Sequence, residues 1–135
     1  MTLDQLNEFG ELLGRELAAR LPAVLTLHGE LGTGKTTLTR AIARGFGVDE
    51  PVTSPTFALV HEYHAKNGDQ LFHLDLYRIR GPQDLANIGW ESINAERALV
   101  IIEWPERAGH LVPDHAMEVR LEHVDGDDSR RKLTW

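Results

Sequence analysis

The sequence predicts an α/β fold, one domain over residues 1–135, with a mixed central sheet flanked by helices. Three features carry that expectation. The short apolar run Ala23-Val24-Leu25-Thr26-Leu27-His28 is bounded by Pro22 and Gly29, as a buried strand would be. A helical pattern over Lys35–Phe46 follows it, with Leu38, Ile42 and Phe46 on one face. Two alternating segments then meet at Asn67-Gly68, a strong short-range hairpin signal.

The chain has 135 residues, enough for one core; a domain near this size buries roughly two-thirds of its unfolded surface. A second full domain is not expected. Its hydrophobic share is 41% and its charged share 26%, an ordinary globular balance rather than a disordered one. No apolar run approaches a membrane span, and no basic-then-apolar leader opens the chain, which agrees with a cytoplasmic protein. Cysteine is absent, which excludes disulfides, thiolate zinc sites and cysteine nucleophiles. The net charge of −7 makes the chain a poor candidate for gripping nucleic acid unaided. Of its three lysines, Lys35, Lys66 and Lys132, only the first lies in a motif.

Taken in order, Thr2-Leu3-Asp4-Gln5 reads as a capping box opening a helix. Leu3, Leu6, Leu13 and Leu17 then form a stripe that should face a core, and Pro22 ends the segment. After the strand at 23–28 and the helix at 35–46, Gly47 is the stop signal. Thr53-Ser54-Pro55-Thr56 is a loop. Residues 57–63 and 71–77 form the hairpin strands, in which Phe72, Leu74 and Leu76 alternate with His73, Asp75 and Tyr77. Asp75 thus points away from the apolar face. Pro82 can start a short helix over 83–88. Ala98-Leu99-Val100-Ile101-Ile102 is the most hydrophobic strand, expected to be central and buried on both faces. Met117, Val119 and Leu121, then Leu133 and Trp135, flank the turn-rich Asp125-Gly126-Asp127-Asp128 and suggest a closing hairpin.

The chemistry starts at Gly29-Glu30-Leu31-Gly32-Thr33-Gly34-Lys35-Thr36, a complete G-x-x-x-x-G-K-[ST] motif between a strand and a helix. Glycines let successive backbone N–H groups converge on phosphate oxygens, and the helix start adds its positive end. Gly32, Thr33 and Gly34 supply the loop. Lys35 can reach the β and γ phosphates, the Thr36 hydroxyl can ligate Mg²⁺, and Thr37 adds a further donor. The fold expected is therefore P-loop NTPase-like, with ATP and Mg²⁺ as its ligands. Such a site needs an acid at the end of a neighbouring buried strand. Glu103 ends the apolar strand at 98–102 and fits the role; alone, it would read as a solvated strand-end acid. Asp75 is the second candidate, able to hold the metal or to orient water, with a surface pair to Arg78 as the alternative. Trp104 is a core cap or a platform beside the nucleotide. The seven histidines match no compact zinc motif and are read as scattered polar or packing residues. Neither N-K-x-D nor D-x-x-G occurs, which favours ATP over GTP.

Four blocks then carry a resemblance. The P-loop through Thr37, Ser54-Pro55-Thr56-Phe57, His73-Leu74-Asp75-Leu76-Tyr77-Arg78 and Ile102-Glu103-Trp104-Pro105 resemble, in order, the bacterial TsaE (YjeE) ATPases. The resemblance implies a small Mg-dependent ATPase needed to form N6-threonylcarbamoyladenosine beside the anticodon of tRNAs reading A-starting codons. It implies TsaB and TsaD as partners, with tRNA held mainly by them. It places the phosphates on Gly32 through Thr37 and Mg²⁺ on Thr36 and Glu103, with Asp75 and Trp104 near the site. Ser54-Pro55-Thr56 resembles a switch-like loop. An arginine of the last hairpin approaches the nucleotide; Arg130 is the position chosen, with Arg131 adjacent. Lys35, Asp75 and Glu103 are the expected catalytic residues. Two other readings stand beside this one: a nucleotide-dependent docking module with incidental hydrolysis, and, with less support, a small-molecule P-loop kinase.

Overall fold

The computed structural model of the chain describes residues 1–30, 32–52, 60–77, 79, 83–84, 89, 93 and 98–135. Helix α1 spans Leu3–Ala18. Its capping box is complete: the Gln5 amide donates to Thr2 Oγ1 at 3.3 Å and the Thr2 amide to Gln5 Oε1 at 2.8 Å. The buried stripe is Leu6, Gly10, Leu13, Gly14 and Leu17. Leu3 departs from the expected stripe and is 58% exposed, because the first turn overhangs a cleft beside the glycine-rich loop. The helix closes at Ala19, before Pro22 is reached.

Strand β1, Ala23–His28, and helix α2, Lys35–Phe46, have the expected bounds. Gly47 ends α2 at φ 105°, and its amide donates to the carbonyls of Ala43 and Arg44. The two helices pack backbone to backbone, which glycine makes possible. A Cβ at Gly45 would collide with the backbone of Glu11, and one at Gly14 with the Ile42 carbonyl and the Phe46 amide nitrogen. Alanine at position 45 gains about 1 kcal/mol of helix propensity. Forcing two backbones apart costs roughly 1–3 kcal/mol and should win. Gly45→Ala is therefore expected to lower the melting temperature by several degrees; an unchanged or higher Tm would refute the close-packing account.

The remaining strands are β2 (Val60–His64), β3 (Gln70–Asp75), β4 (Ala98–Glu103), β5 (Met117–Val124) and β6 (Asp127–Thr134). Their order is β2-β3-β4-β1-β5-β6. β3, β4, β1 and β5 run parallel, while β2–β3 and β5–β6 are antiparallel hairpins, so the sheet is mixed. Gly68 takes φ 92° in the first hairpin and Gly126 φ 77° in the second. The second turn is tighter than its composition suggests, since Asp127 already belongs to β6.

β4 is buried along its whole length beside β1, at the centre of the sheet. One face, with Leu25, Leu27, Leu71, Leu99 and Ile101, packs under α1 and α2. The other, with Phe72, Leu74, Val100 and Ile102, packs against Leu76, Ile79, Ile93 and Ala108. Both faces of β3 are thus covered. His73 and Asp75 point away from the Phe72 face, as expected, but into the space under α2 rather than into open solvent. Among the described residues no helix is long and apolar enough to cross a membrane. The loop at 53–56, the first residues of the expected strand at 57–63, and most of the expected helix at 83–88 lie outside the described residues.

Candidate functional site

The glycine-rich loop leaves the carboxyl end of β1, between the carboxyl ends of β4 and β5, where open α/β sheets place their ligands. Gly29 leaves β1 where a Cβ would lie 2.7 Å from both the Leu121 carbonyl oxygen and Thr33 Oγ1. Thr33 ties the loop to itself by donating from its hydroxyl to the Glu30 carbonyl at 2.8 Å. Gly34 is the residue before α2, at φ 102°, and caps it with no side-chain bond. The first turn of α2 carries no acid. Its dipole end therefore favours an anion. Gly32, Thr33, Gly34, Lys35, Thr36 and Thr37 run through this turn in succession.

Lys35 is only 6% exposed. Its Nζ donates to the Gly29 carbonyl at 2.6 Å and sits 3.9 Å from the centroid of the Trp104 ring. Burial lowers its pKa from the ordinary lysine value, while Glu103, Asp75 and Glu106 pull it back up. Trp104 is half-buried, and its ring packs at a tilt of 53° against Tyr77 with centroids 5.0 Å apart. Its ring lies against the lysine and also packs on the second core cluster, so the core-cap reading holds. Its backbone takes the left-handed region at φ 58°, which for a non-glycine residue costs on the order of 1–3 kcal/mol. That turn directs the ring back under Lys35.

The two expected carboxylates come together. Asp75 and Glu103 are register partners at the ends of adjacent parallel strands, and the Leu76 amide donates to the Glu103 carbonyl at 3.1 Å. Glu103 is 4% exposed, so it is no solvated strand-end acid. Asp75 is half-buried, and its Oδ1 accepts the Tyr77 amide at 3.1 Å. Arg78, its alternative partner, lies outside the described residues, as do Leu31 of the loop and Ser54-Pro55-Thr56.

His73 is the residue sequence reasoning passed over. It is fully buried, with Nε2 2.5 Å from Glu103 Oε2. The available signal was its place two residues before Asp75, hence on the same face of the same strand.

The closing hairpin places its two candidate arginines on opposite sides. Arg130 forms an exposed contact with Asp127 at 3.6 Å. Arg131, one residue on and therefore on the opposite side of β6, reaches the loop. Its guanidinium donates to the carbonyls of Gly32 and Thr33, each at 3.2 Å, and its own carbonyl accepts the Met1 amino group at 2.9 Å. Arg131 belongs to a cleft of about 430 Å³ whose lining includes Thr2, Leu6, Gly32, Gly34 and Thr37.

A larger cleft, about 970 Å³, opens on the other face of the sheet past Gly29. Glu30, Glu106, Glu118 and Glu122 outnumber Arg120 in its lining, a charge balance that disfavours a polyphosphate there. His28 lies in this cleft. Burial first, then Arg120, lower its pKa below the ordinary 6.5, against opposing pulls from Glu118 and Glu106. The folded state therefore favours neutral His28; its contribution to stability is present above pH 6.5 and is lost as the pH falls below that value. Arg120→Gln is expected to raise the His28 pKa toward 6.5 in an NMR titration. A downward move would contradict the repulsion.

Among the described residues no three His, Asp or Glu side chains gather as a self-sufficient metal site. A cation beside Glu103 would need other oxygens, such as the Thr36 hydroxyl and a bound phosphate.

Comparison with known proteins agrees with this geometry. The family model described as "Threonylcarbamoyl adenosine biosynthesis protein TsaE" matches residues 1–133. The "tRNA threonylcarbamoyladenosine biosynthesis protein TsaE" of Nostoc sp. is 36% identical, over 99% of this chain and 89% of the relative. The protein of that name from Haemophilus influenzae is 35% identical, over 88% of this chain and 74% of its own. Among solved structures, the crystal structure of Bacillus subtilus YdiB superposes with a TM-score of 0.73 at 27% identity, over 98% of this chain and 78% of that one.

Proposed function

The chain belongs to the TsaE family of threonylcarbamoyl adenosine biosynthesis proteins, and from that premise we propose that it is a Mg-dependent ATPase serving the formation of N6-threonylcarbamoyladenosine in tRNA. It forms one P-loop ATPase domain over residues 1–135, works in the cytoplasm and acts with TsaB and TsaD, which hold the tRNA. The observation that carries this is Lys35, buried at an uncapped helix start and facing two register-paired carboxylates. Burial opposes the lysine's charge, and the carboxylates and the Trp104 ring offset that only in part; a polyphosphate would supply the rest.

The donor set fits a hard cation: a hydroxyl from Thr36 and the carboxylate of Glu103, with Asp75 beside it, no cysteine in the sequence, and no metal-binding cluster of His, Asp and Glu among the described residues to compete. When bound, Mg²⁺ neutralises charge on the transferring phosphoryl group. The chain's own residues do the rest. The loop amides at Gly32, Thr33 and Gly34 and those of Lys35, Thr36 and Thr37 hold phosphate oxygens. Lys35 exchanges the Gly29 carbonyl for the β and γ phosphates. Asp75 or Glu103 orients the attacking water, and no covalent intermediate forms. The cleft beside Thr37 takes the nucleoside, and Arg131, rather than Arg130, is the hairpin arginine closest to it. The −7 charge supports leaving tRNA to the partners.

Turnover is slow in isolation, because a cation supplied in trans is worth roughly 10³–10⁵ in rate for such sites. The test is phosphate release from Mg-ATP by the purified chain, alone and with a TsaB–TsaD pair. Stimulation by the pair supports the proposal. ATP binding with no stimulation would instead favour a docking module in which hydrolysis is incidental. Transfer of phosphate to a small acceptor would point to a kinase.

A further inference from the structure

We propose that His73 is a positioning residue that fixes the orientation of the Glu103 carboxylate; the inference rests on the Mg-nucleotide site proposed above. His73 lies on β3 facing α2, where the neighbouring positions on that face are Leu71, Leu99 and Ile101. Packing alone would be served by another aliphatic residue, without burying a polar ring. Instead an imidazole with no exposed surface is spent on a single bond, Nε2 to Glu103 Oε2 at 2.5 Å.

The other ring nitrogen, Nδ1, has no hydrogen-bond partner among the described residues. A buried N–H without an acceptor is rarer and costlier than an unfilled lone pair, so Nδ1 carries no proton. The hydrogen therefore sits on Nε2 and is donated to Glu103. One carboxylate oxygen, Oε2, is occupied from below the sheet's end. The other, Oε1, takes no part in that bond, and it belongs to a carboxylate that acts on Lys35 and whose residue pairs in register with Asp75. A glutamate has three rotatable bonds, and ordering them in advance is what lets one oxygen meet a cation in fixed geometry.

The test measures ADP binding with excess chelator and with Mg²⁺, using the full chain and its variants, with melting temperatures recorded for each. Partners of metal-binding side chains typically change metal affinity by 10–100-fold. His73→Leu should bind metal-free ADP within about twofold of the wild type and lose about tenfold of the gain that Mg²⁺ confers. His73→Gln places an amide N–H at nearly the reach of Nε2 and should restore most of that gain. In a Glu103→Ala background, His73→Leu should add no further loss, because no side-chain oxygen remains there for His73 to orient. If His73→Leu fails to fold, His73→Asn decides in its place, its amide stopping short of Glu103.

An unchanged Mg²⁺ gain in the leucine or asparagine variant overturns the inference. So does a glutamine variant as impaired as leucine, or a full additional loss in the Glu103→Ala background. A wild-type chain that binds no ADP with Mg²⁺ overturns the proposed function itself, and this inference with it. Normal wild-type coupling with unaffected variants overturns only the role of His73.

Discussion

Lys35→Ala is expected to weaken Mg-ATP binding by about 30- to several-thousand-fold, measured by calorimetric titration. Removing one partner of a buried, hydrogen-bonded charge pair costs roughly 2–5 kcal/mol, and each 1.4 kcal/mol is tenfold in affinity. The site argues for the upper half of that range. Glu103, Asp75 and Glu106 all act on Lys35. Without the ammonium, these carboxylates face the incoming phosphates with nothing to offset them. Lys35→Arg should not rescue binding. The ammonium is a compact point charge held 2.6 Å from the Gly29 carbonyl and 3.9 Å from the Trp104 ring, a placement that a longer, planar guanidinium does not reproduce. Binding within threefold of the wild type in Lys35→Ala would remove the lysine from the phosphate site and leave the proposed function without its main support.

How much of this was legible beforehand depends on the kind of signal. β1 and α2 have the bounds their residues announce, because Pro22, Gly29 and Gly47 punctuate a period-2 and a period-3.6 pattern. The meeting of Asp75 and Glu103 was legible as two acids ending apolar strands, though not as register partners, since register depends on a crossover that local pattern does not encode. The helix–helix approach at Gly14 and Gly45 had no such signal. A glycine in a helical pattern reads only as a weak point until a second backbone is seen against it. His73 was missed for a related reason. Alternation marked its face as polar, and only the tertiary structure shows that face covered by α2. Arg130 and Arg131 could not be separated because Ser129-Arg130-Arg131-Lys132 has no apolar residue to set the alternation. The pairing of Leu121 with Leu133 sets it, and Arg131 falls on the loop side.

The same geometry separates the two carboxylates, which spacing could not do. Glu103 is 4% exposed, braced by His73 and facing Lys35. Asp75 is half-buried, with one oxygen already accepting the Tyr77 amide. A braced, dry carboxylate suits a cation; a wetter one with a free oxygen suits a water molecule. Glu103→Gln is therefore expected to raise the Mg²⁺ concentration needed for half-maximal turnover about 10–100-fold, with metal-free nucleotide binding retained. Asp75→Asn is expected to leave the Mg²⁺ requirement near that of the wild type and to lower the maximal rate about 10²–10⁴-fold, the usual worth of a positioned base. Turnover should be followed by phosphate release in the presence of the TsaB–TsaD pair, so that both variants are read well above background. The reverse pattern, with Asp75→Asn shifting the Mg²⁺ requirement and Glu103→Gln only the rate, would exchange the two roles. Full turnover in both variants would mean that neither carboxylate serves hydrolysis, and that a docking role is the better account of the site.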